Sequence, residues 1–174
     1  MSEANIAALS VLAVPENTLA DMLSRSATFQ AECGTTGDAD ATWDHIELTE
    51  WAIDESPLPP AGPYGVVYLD EGFRMRKTSE GAAWNYQTNG ALKVYLRTPG
   101  PFQFAATRDQ ATAMKNFVGD VMTDLFDLSA VGDANLAIND IELTAPPSRV
   151  ARWIIRRRRH NFWHALFRVD WGPD

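Results

Sequence analysis

Asn161-Phe162-Trp163-His164-Ala165-Leu166-Phe167-Arg168-Val169-Asp170-Trp171-Gly172 is the stretch that decides the fold class. Successive side chains of a strand point to opposite faces, so Trp163, Ala165, Phe167, Val169 and Trp171 share one side. Phe162, His164, Leu166, Arg168 and Asp170 share the other. One face is strongly apolar and the other is wetter, which predicts a half-buried strand in a sheet covered on one side by helices or a neighbouring subunit.

Working back along the chain, the period changes twice. Ala111, Met114, Phe117, Val118, Val121, Met122, Leu125 and Leu128 recur at helical spacing, predicting a helix over about 107–130. Leu19, Met22, Leu23, Ser26, Phe29 and Cys33 predict an earlier one, with Pro15 near its start and Gly34 as its stop. Asp38 to Trp43 has room for one further helical turn. Two-residue spacing predicts short strands at His45–Leu48, Val66–Leu69 and Phe73–Lys77. Trp84 and Tyr86, then Thr88-Asn89-Gly90, then Leu92, Val94 and Leu96 read as a β-hairpin. Leu136, Ile138, Ile141 and Leu143 form a strand region with a slip at Asn139-Asp140, and Pro146-Pro147 separates it from Val150–Ile155. The order of elements predicts an α+β fold: an antiparallel, in part mixed, sheet with two helices packed on one face. Phe117, Val121, Leu125, Phe167 and Val169 are the expected centre of the core.

One domain spanning 1–174 is expected from the length. Residues 1–14 read as an apolar, flexible N-terminal arm or a first strand. Residues 54–65, with four prolines and two glycines, read as a long Pro-rich loop. The apolar run Ile6–Val14 lacks a basic leader, so it does not read as a signal peptide. No run approaches the roughly 20 apolar residues needed to cross a bilayer, so no membrane partner is expected. The single Cys33 excludes an intrachain disulfide and reads as a small buried hydrophobe.

Charge is divided along the chain. The formal net charge is −8. Residues 1–73 carry one basic residue, Arg25, against thirteen acids, whereas residues 74–174 carry fourteen basic residues against ten acids. Such asymmetry supplies solvated faces or complementary surfaces for neighbouring subunits. A nucleic-acid binder is ordinarily basic overall, and this chain is acidic.

The pattern aromatic-aromatic-x-Ala-x-aromatic-x-Val-x-Trp-Gly at 162–172, after a basic turn, resembles the C-terminal strand of the tail terminators of long-tailed bacteriophages. Leu19-Ala20 to Phe29, then Cys33-Gly34, resembles the opening helix of many prophage proteins of this size. The strand Ala91–Arg97 and the helix after it stand in the same order as in that family. The chain departs from the family around Pro57–Pro63 and in the run Arg156-Arg157-Arg158-Arg159. The resemblance implies a structural virion protein made in the bacterial cytoplasm. It implies a homo-oligomeric ring, a hexamer in that family, that caps the tail tube at its head-proximal end. The implied partners are the tail tube protein and the head–tail connector, with genomic DNA passing through the lumen without specific binding. A head–tail stopper or a tube subunit is the second reading, and a small α+β enzyme the third.

Residue chemistry offers little to an enzyme. No phosphate loop, dinucleotide glycine pattern, nucleophile elbow or zinc-protease helix occurs. His160 and His164, with Asp170, have no firm metal-ligand geometry on a strand and read as solvent-side or interface residues. No cofactor or metal is expected. Glu47, Glu50, Asp54 and Glu55 surround Trp51 and read as a solvated acidic loop, with Trp51 as a docking anchor or a loop pin. Seven arginines and no acid lie between Arg149 and Arg168. Arg156, Arg157, Arg158 and Arg159 read as a protein-docking surface, a solvated hairpin tip or a phosphate contact. The residues proposed to meet a partner are these four arginines with Trp51, Asp54 and Glu55.

Overall fold

The computed structural model describes residues 13–48, 63–70, 72–80, 83–98, 107–130, 136–155 and 158–172, and of these it describes only the backbone for 77–80, 83–87, 107–108, 149–155 and 158–162. The elements are α1 (Ala13–Arg25), α2 (Ala27–Cys33), α3 (Ala39–Trp43), β1 (Ile46–Glu47), β2 (Tyr64–Leu69), β3 (Arg74–Glu80), β4 (Ala83–Thr98), α4 (Thr107–Ala130), β5 (Ile138–Ile155) and β6 (Arg158–Trp171). The strand order is β1-β2-β4-β6-β5, with β3 paired to β4. Every pairing is antiparallel except β1 with β2. The fold is α+β, as expected.

Register explains the core. Leu92 pairs with Val169, Val94 with Phe167 and Leu96 with Ala165, so these six side chains share a face. All six are buried, together with Leu19, Met22, Leu23 and Phe29 from α1 and α2 and Met114, Val121 and Leu125 from α4. The helices therefore lie on this one face. At Gly65 a Cβ would sit 2.8 Å from Leu23 Cδ2, so α1 rests directly on the backbone of β2. Phe117, Val121, Leu125, Phe167 and Val169 are all buried.

The helical layer differs from expectation at Ser26. One continuous helix to Cys33 was the reading of the periodicity, but Ser26 leaves the helical backbone (φ −59, ψ 119) and caps α2. Its hydroxyl accepts a hydrogen bond from Phe29 N and donates one to Asp124 Oδ2 at 2.7 Å, and Asp124 Oδ2 also accepts from Thr28 N. The break aims the N-terminus of α2 at a carboxylate on α4, which suits the dipole of a helix start. With α3, the layer contains four helices among the described residues rather than two. Ala13 and Val14, inside the segment expected to be an arm, are already helical; residues 1–12 lie outside the described residues.

Two strand boundaries also differ. Thr88-Asn89-Gly90 is not a turn but part of β4. An Asn-Gly hairpin turn requires positive φ, and Gly90 is not among the positive-φ glycines. At this position β4 instead changes partner: Asn89 pairs with Arg74 of β3, and Gly90 with Trp171 of β6. Gly90 sits where Phe73 and Trp171 converge; a Cβ there would be 3.1 Å from Phe73 Cα. Pro146-Pro147 likewise fails to end β5. β5 is an edge strand, where a missing N–H is tolerated, and its register slips between Ala145 and Ser148 to absorb the pair. The slip expected at Asn139-Asp140 is present between Ile138 and Asp140.

Both long hairpins overhang the sheet. The β3–β4 pair continues past the point where β6 ends at Trp171, and the β5–β6 pair continues past the point where β4 ends at Thr98. Because β4 and β6 are antiparallel, the two overhangs leave opposite ends of the sheet.

Candidate functional site

The sheet face away from the helices carries the most unusual chemistry. Arg97 follows Leu96 in β4 and so points away from the helices, yet it is only 5% exposed. Tyr64 lies opposite it on β2 and His164 opposite it on β6. The Arg97 guanidinium carbon is 5.9 Å from the centre of the Tyr64 ring. Tyr95 meets His164 edge to face at 5.7 Å. His164 Nε2 shares a 2.7 Å hydrogen bond with Ser148 Oγ of β5. Four adjacent strands thus contribute Tyr64, Tyr95, Arg97, His164 and Ser148 to one polar cluster.

Electrostatics follow from that packing. Burial pulls Arg97 below its ordinary value, against the opposing pull of Tyr95, Tyr64 and Glu47. Burial, and then the charge of Arg97, also hold His164 below 6.5. The imidazole is therefore biased to its neutral form. A serine beside a neutral histidine has the spacing of a nucleophile and its base. Here no carboxylate orients the imidazole among the described residues, and Ser148 stands exposed on an edge strand. The arrangement fits a positioned polar contact better than a catalytic pair.

A second feature lies at the root of the β3–β4 overhang. An open cleft of about 320 Å³ is lined by residues that include Arg74, Asn89, Asn139, Arg168, Asp170 and Trp171. Arg168 spends two nitrogens, Nε and one Nη, on a single oxygen of Asp170 at 3.0 and 2.8 Å. That bond raises the Arg168 pKa. The cleft therefore combines the Arg168–Asp170 pair with Arg74 and two side-chain amides that can both donate and accept.

Of the residues singled out in the sequence, Trp51, Asp54, Glu55, Arg156 and Arg157 lie outside the described residues. Arg158 and Arg159 belong to β6, paired with Ile155 and Ile154 at the far end of the β5–β6 overhang. His164 is in the polar cluster, whereas Asp170 is at the other end of β6, bonded to Arg168. No group of three or more His, Cys, Asp or Glu side chains able to hold a metal occurs among the described residues. Cys33 is half-buried, and burial with the neighbouring Glu32 pushes its thiol up to about 12. No helix among the described residues is long and apolar enough to cross a membrane.

Sequence reasoning missed Arg97, Tyr64 and Tyr95. Tyr95 and Arg97 have the ordinary signature of a strand's wetter side, Tyr64 falls in the segment expected to be a Pro-rich loop but opens β2, and the pairing of β2 with β4 brings the three together. No protein-family model matches the chain, and no curated protein matches it in sequence.

Proposed function

We propose that this chain is a structural subunit of a phage tail, a tail terminator that assembles as a ring on the tube end and joins it to the head-side connector. The observation that carries the reading is the pair of hairpin overhangs leaving opposite ends of one helix-backed sheet. A ring that joins a tube to a connector needs contacts at both of its axial faces as well as between neighbours. Two oppositely directed overhangs provide separate docking elements. One carries Arg158 and Arg159 and continues the arginine-rich stretch; the other carries Arg74 and Arg76. The acidic N-terminal half offers complementary charge to a neighbour, and an acidic lumen would let DNA pass without sticking. In this reading the protein has no catalytic role.

The test is assembly. The purified protein should form one closed oligomer by light scattering and cap isolated tail tubes in electron micrographs. Replacing Arg156–Arg159 with Ser should leave the fold intact, since exposed ion pairs contribute only about 0–1 kcal/mol each, but should abolish capping. A monomer at all concentrations would overturn the reading. Open stacks of rings would favour a tube subunit, and binding to the connector without capping tubes would favour a head–tail stopper.

A further inference from the structure

On the sheet face away from the helices, register sets cations and acids apart. Asn89 shares this face with Tyr95 and Arg97 of the same strand. Arg74 pairs with Asn89, so Arg74 and Arg76 lie on this face of β3. Asp140 pairs with Asp170, and Glu142 with Arg168, so all four lie on the same face of β5 and β6. Arg74, Arg76, Asp140 and Glu142 are exposed. Arg74 makes no ion pair among the described residues.

The cleft at the root of the β3–β4 overhang separates the two signs. Arg74 lines it from β3, Asn89 from β4, Arg168 and Asp170 from β6, and Asn139 from the bulge of β5. Gly172 lies against Asn89, the partner of Arg74, so β4 runs between β3 and the end of β6. Two strand spacings, about 10 Å, therefore separate the backbones that carry Arg74 and Asp170. Ala91 lies opposite Asp170 and follows Gly90, and neither has a side chain long enough to fill that gap. Asp170 meets Arg168 through Oδ1 alone, so its Oδ2 is open to a ligand. The carboxamides of Asn89 and Asn139 likewise make no hydrogen bond among the described residues.

We propose that this cleft binds a small amino acid as its zwitterion, with the carboxylate on Arg74 and the ammonium on Oδ2 of Asp170. The inference does not depend on the tail reading. A guanidinium with no acid beside it is a bidentate seat for a carboxylate. A simple anion would gain that seat but would meet Asp170 and Asp140 across the cleft. A simple cation would gain Asp170 but would face Arg74 and Arg76. A ligand with both charges a few bonds apart is favoured at both walls, and Arg168 keeps its bond to Asp170. The two carboxamides each donate and accept, so they can serve either end of the ligand. The volume, about 320 Å³, is at the small end of the range for ligand sites, which suits a single amino acid.

The experiment is an NMR titration of the full chain at neutral pH. The probes are glycine, β-alanine and γ-aminobutyrate, whose two charges are progressively farther apart, with acetate and methylammonium as single-charge controls. At least one of the three zwitterions should give saturable shifts at Asn89, Ala91, Asn139 and Asp170. Acetate and methylammonium should each bind at least tenfold more weakly than the best of them. R74Q and D170N should each weaken that binding at least tenfold with unchanged circular dichroism. D170N also releases Arg168, so R74Q, at an exposed residue with no ion pair among the described residues, is the variant that keeps the test clean. No saturable shift with any of the three, binding of a single-charge control as tight as theirs, or affinity unchanged in R74Q would overturn the site.

Discussion

The two faces of β4 and β6 are made by the same strands and hold side chains by opposite means. On the helix side, Leu92, Val94, Leu96, Ala165, Phe167 and Val169 are fully buried and purely apolar. On the other side, Tyr95 and Arg97 are nearly as buried, but they carry a phenol and a guanidinium, and His164 beside them bonds Ser148. The first face is held by area removed from water, which is non-directional and tolerates rearrangement. The second depends on directed contacts, since a buried polar group is costly unless it is paired. Burial alone therefore does not say how a face responds to change; the chemistry of its groups does.

Truncating neighbours on opposite faces separates the two kinds of burial. Phe167→Ala should destabilise by about 3–5 kcal/mol, because it empties the centre of the helix-backed core. Leu166→Ala, one residue away on the half-buried side, should cost about 1 kcal/mol or less. Chemical denaturation of both variants checks this. Equal losses would mean that the faces are energetically alike.

Within the helix-backed half, one polar device deserves the same treatment. Ser26→Ala removes both the cap of α2 and the hydroxyl bonded to Asp124. The expected loss is about 1–2 kcal/mol, the range for an N-cap. Asp124→Ala should show a coupling with it in a double-mutant cycle. Additive losses would show that α2 is held on α4 by apolar packing alone.

The legibility of the chain follows the same division. The helix-backed face was readable, because alternation in Trp163–Trp171 and the 3.6-residue period in Ala111–Leu128 are both set by burial on one side. The break at Ser26 was not, since its cause is a carboxylate 98 residues away. Nor was the continuation of β4 through Thr88-Asn89-Gly90. A local turn signal lost there to the long-range pairing of Gly90 with Trp171. Pro146-Pro147 misled for a related reason: proline ends a central strand, but β5 is an edge. The polar cluster was legible only as separate residues. Alternation places Arg97 on a wet side, and nothing local says that this side is covered at that point. Of the proposed docking residues, Arg158 and Arg159 are placed on an overhang, while the others lie outside the described residues.

A finer probe of the second face is the influence of Arg97 on its neighbour. Arg97→Ala should cost about 2 kcal/mol or less through the lost contact with the Tyr64 ring. Its distinctive effect is elsewhere. The charge of Arg97 is one of two causes that hold His164 low, so its removal should raise the His164 titration midpoint. Imidazole proton shifts followed by NMR report this directly. An unchanged midpoint would leave burial as the only cause and separate the two residues functionally.

The smallest expected effect is the pH dependence that His164 gives to folding. Its folded value lies below the ordinary 6.5 because burial, and then Arg97, disfavour the imidazolium. Below about pH 6.5 the unfolded chain binds a proton that the folded chain resists binding, so unfolding is favoured there. The contribution is fully present above pH 6.5 and is lost as pH falls toward and through the folded value. Carboxylates also change stability in acid, so the wild type alone does not isolate the effect. The relevant quantity is the difference between wild type and His164→Gln, whose amide does not titrate in this window and retains a hydrogen-bonding group near Ser148. Between pH 7.5 and 5.5 the wild type should lose more stability than the variant, by an amount that shrinks in Arg97→Ala. If the two proteins lose stability in parallel, the imidazole takes its proton as readily in the folded state as in the unfolded one, and the polar cluster does not discriminate against its charge.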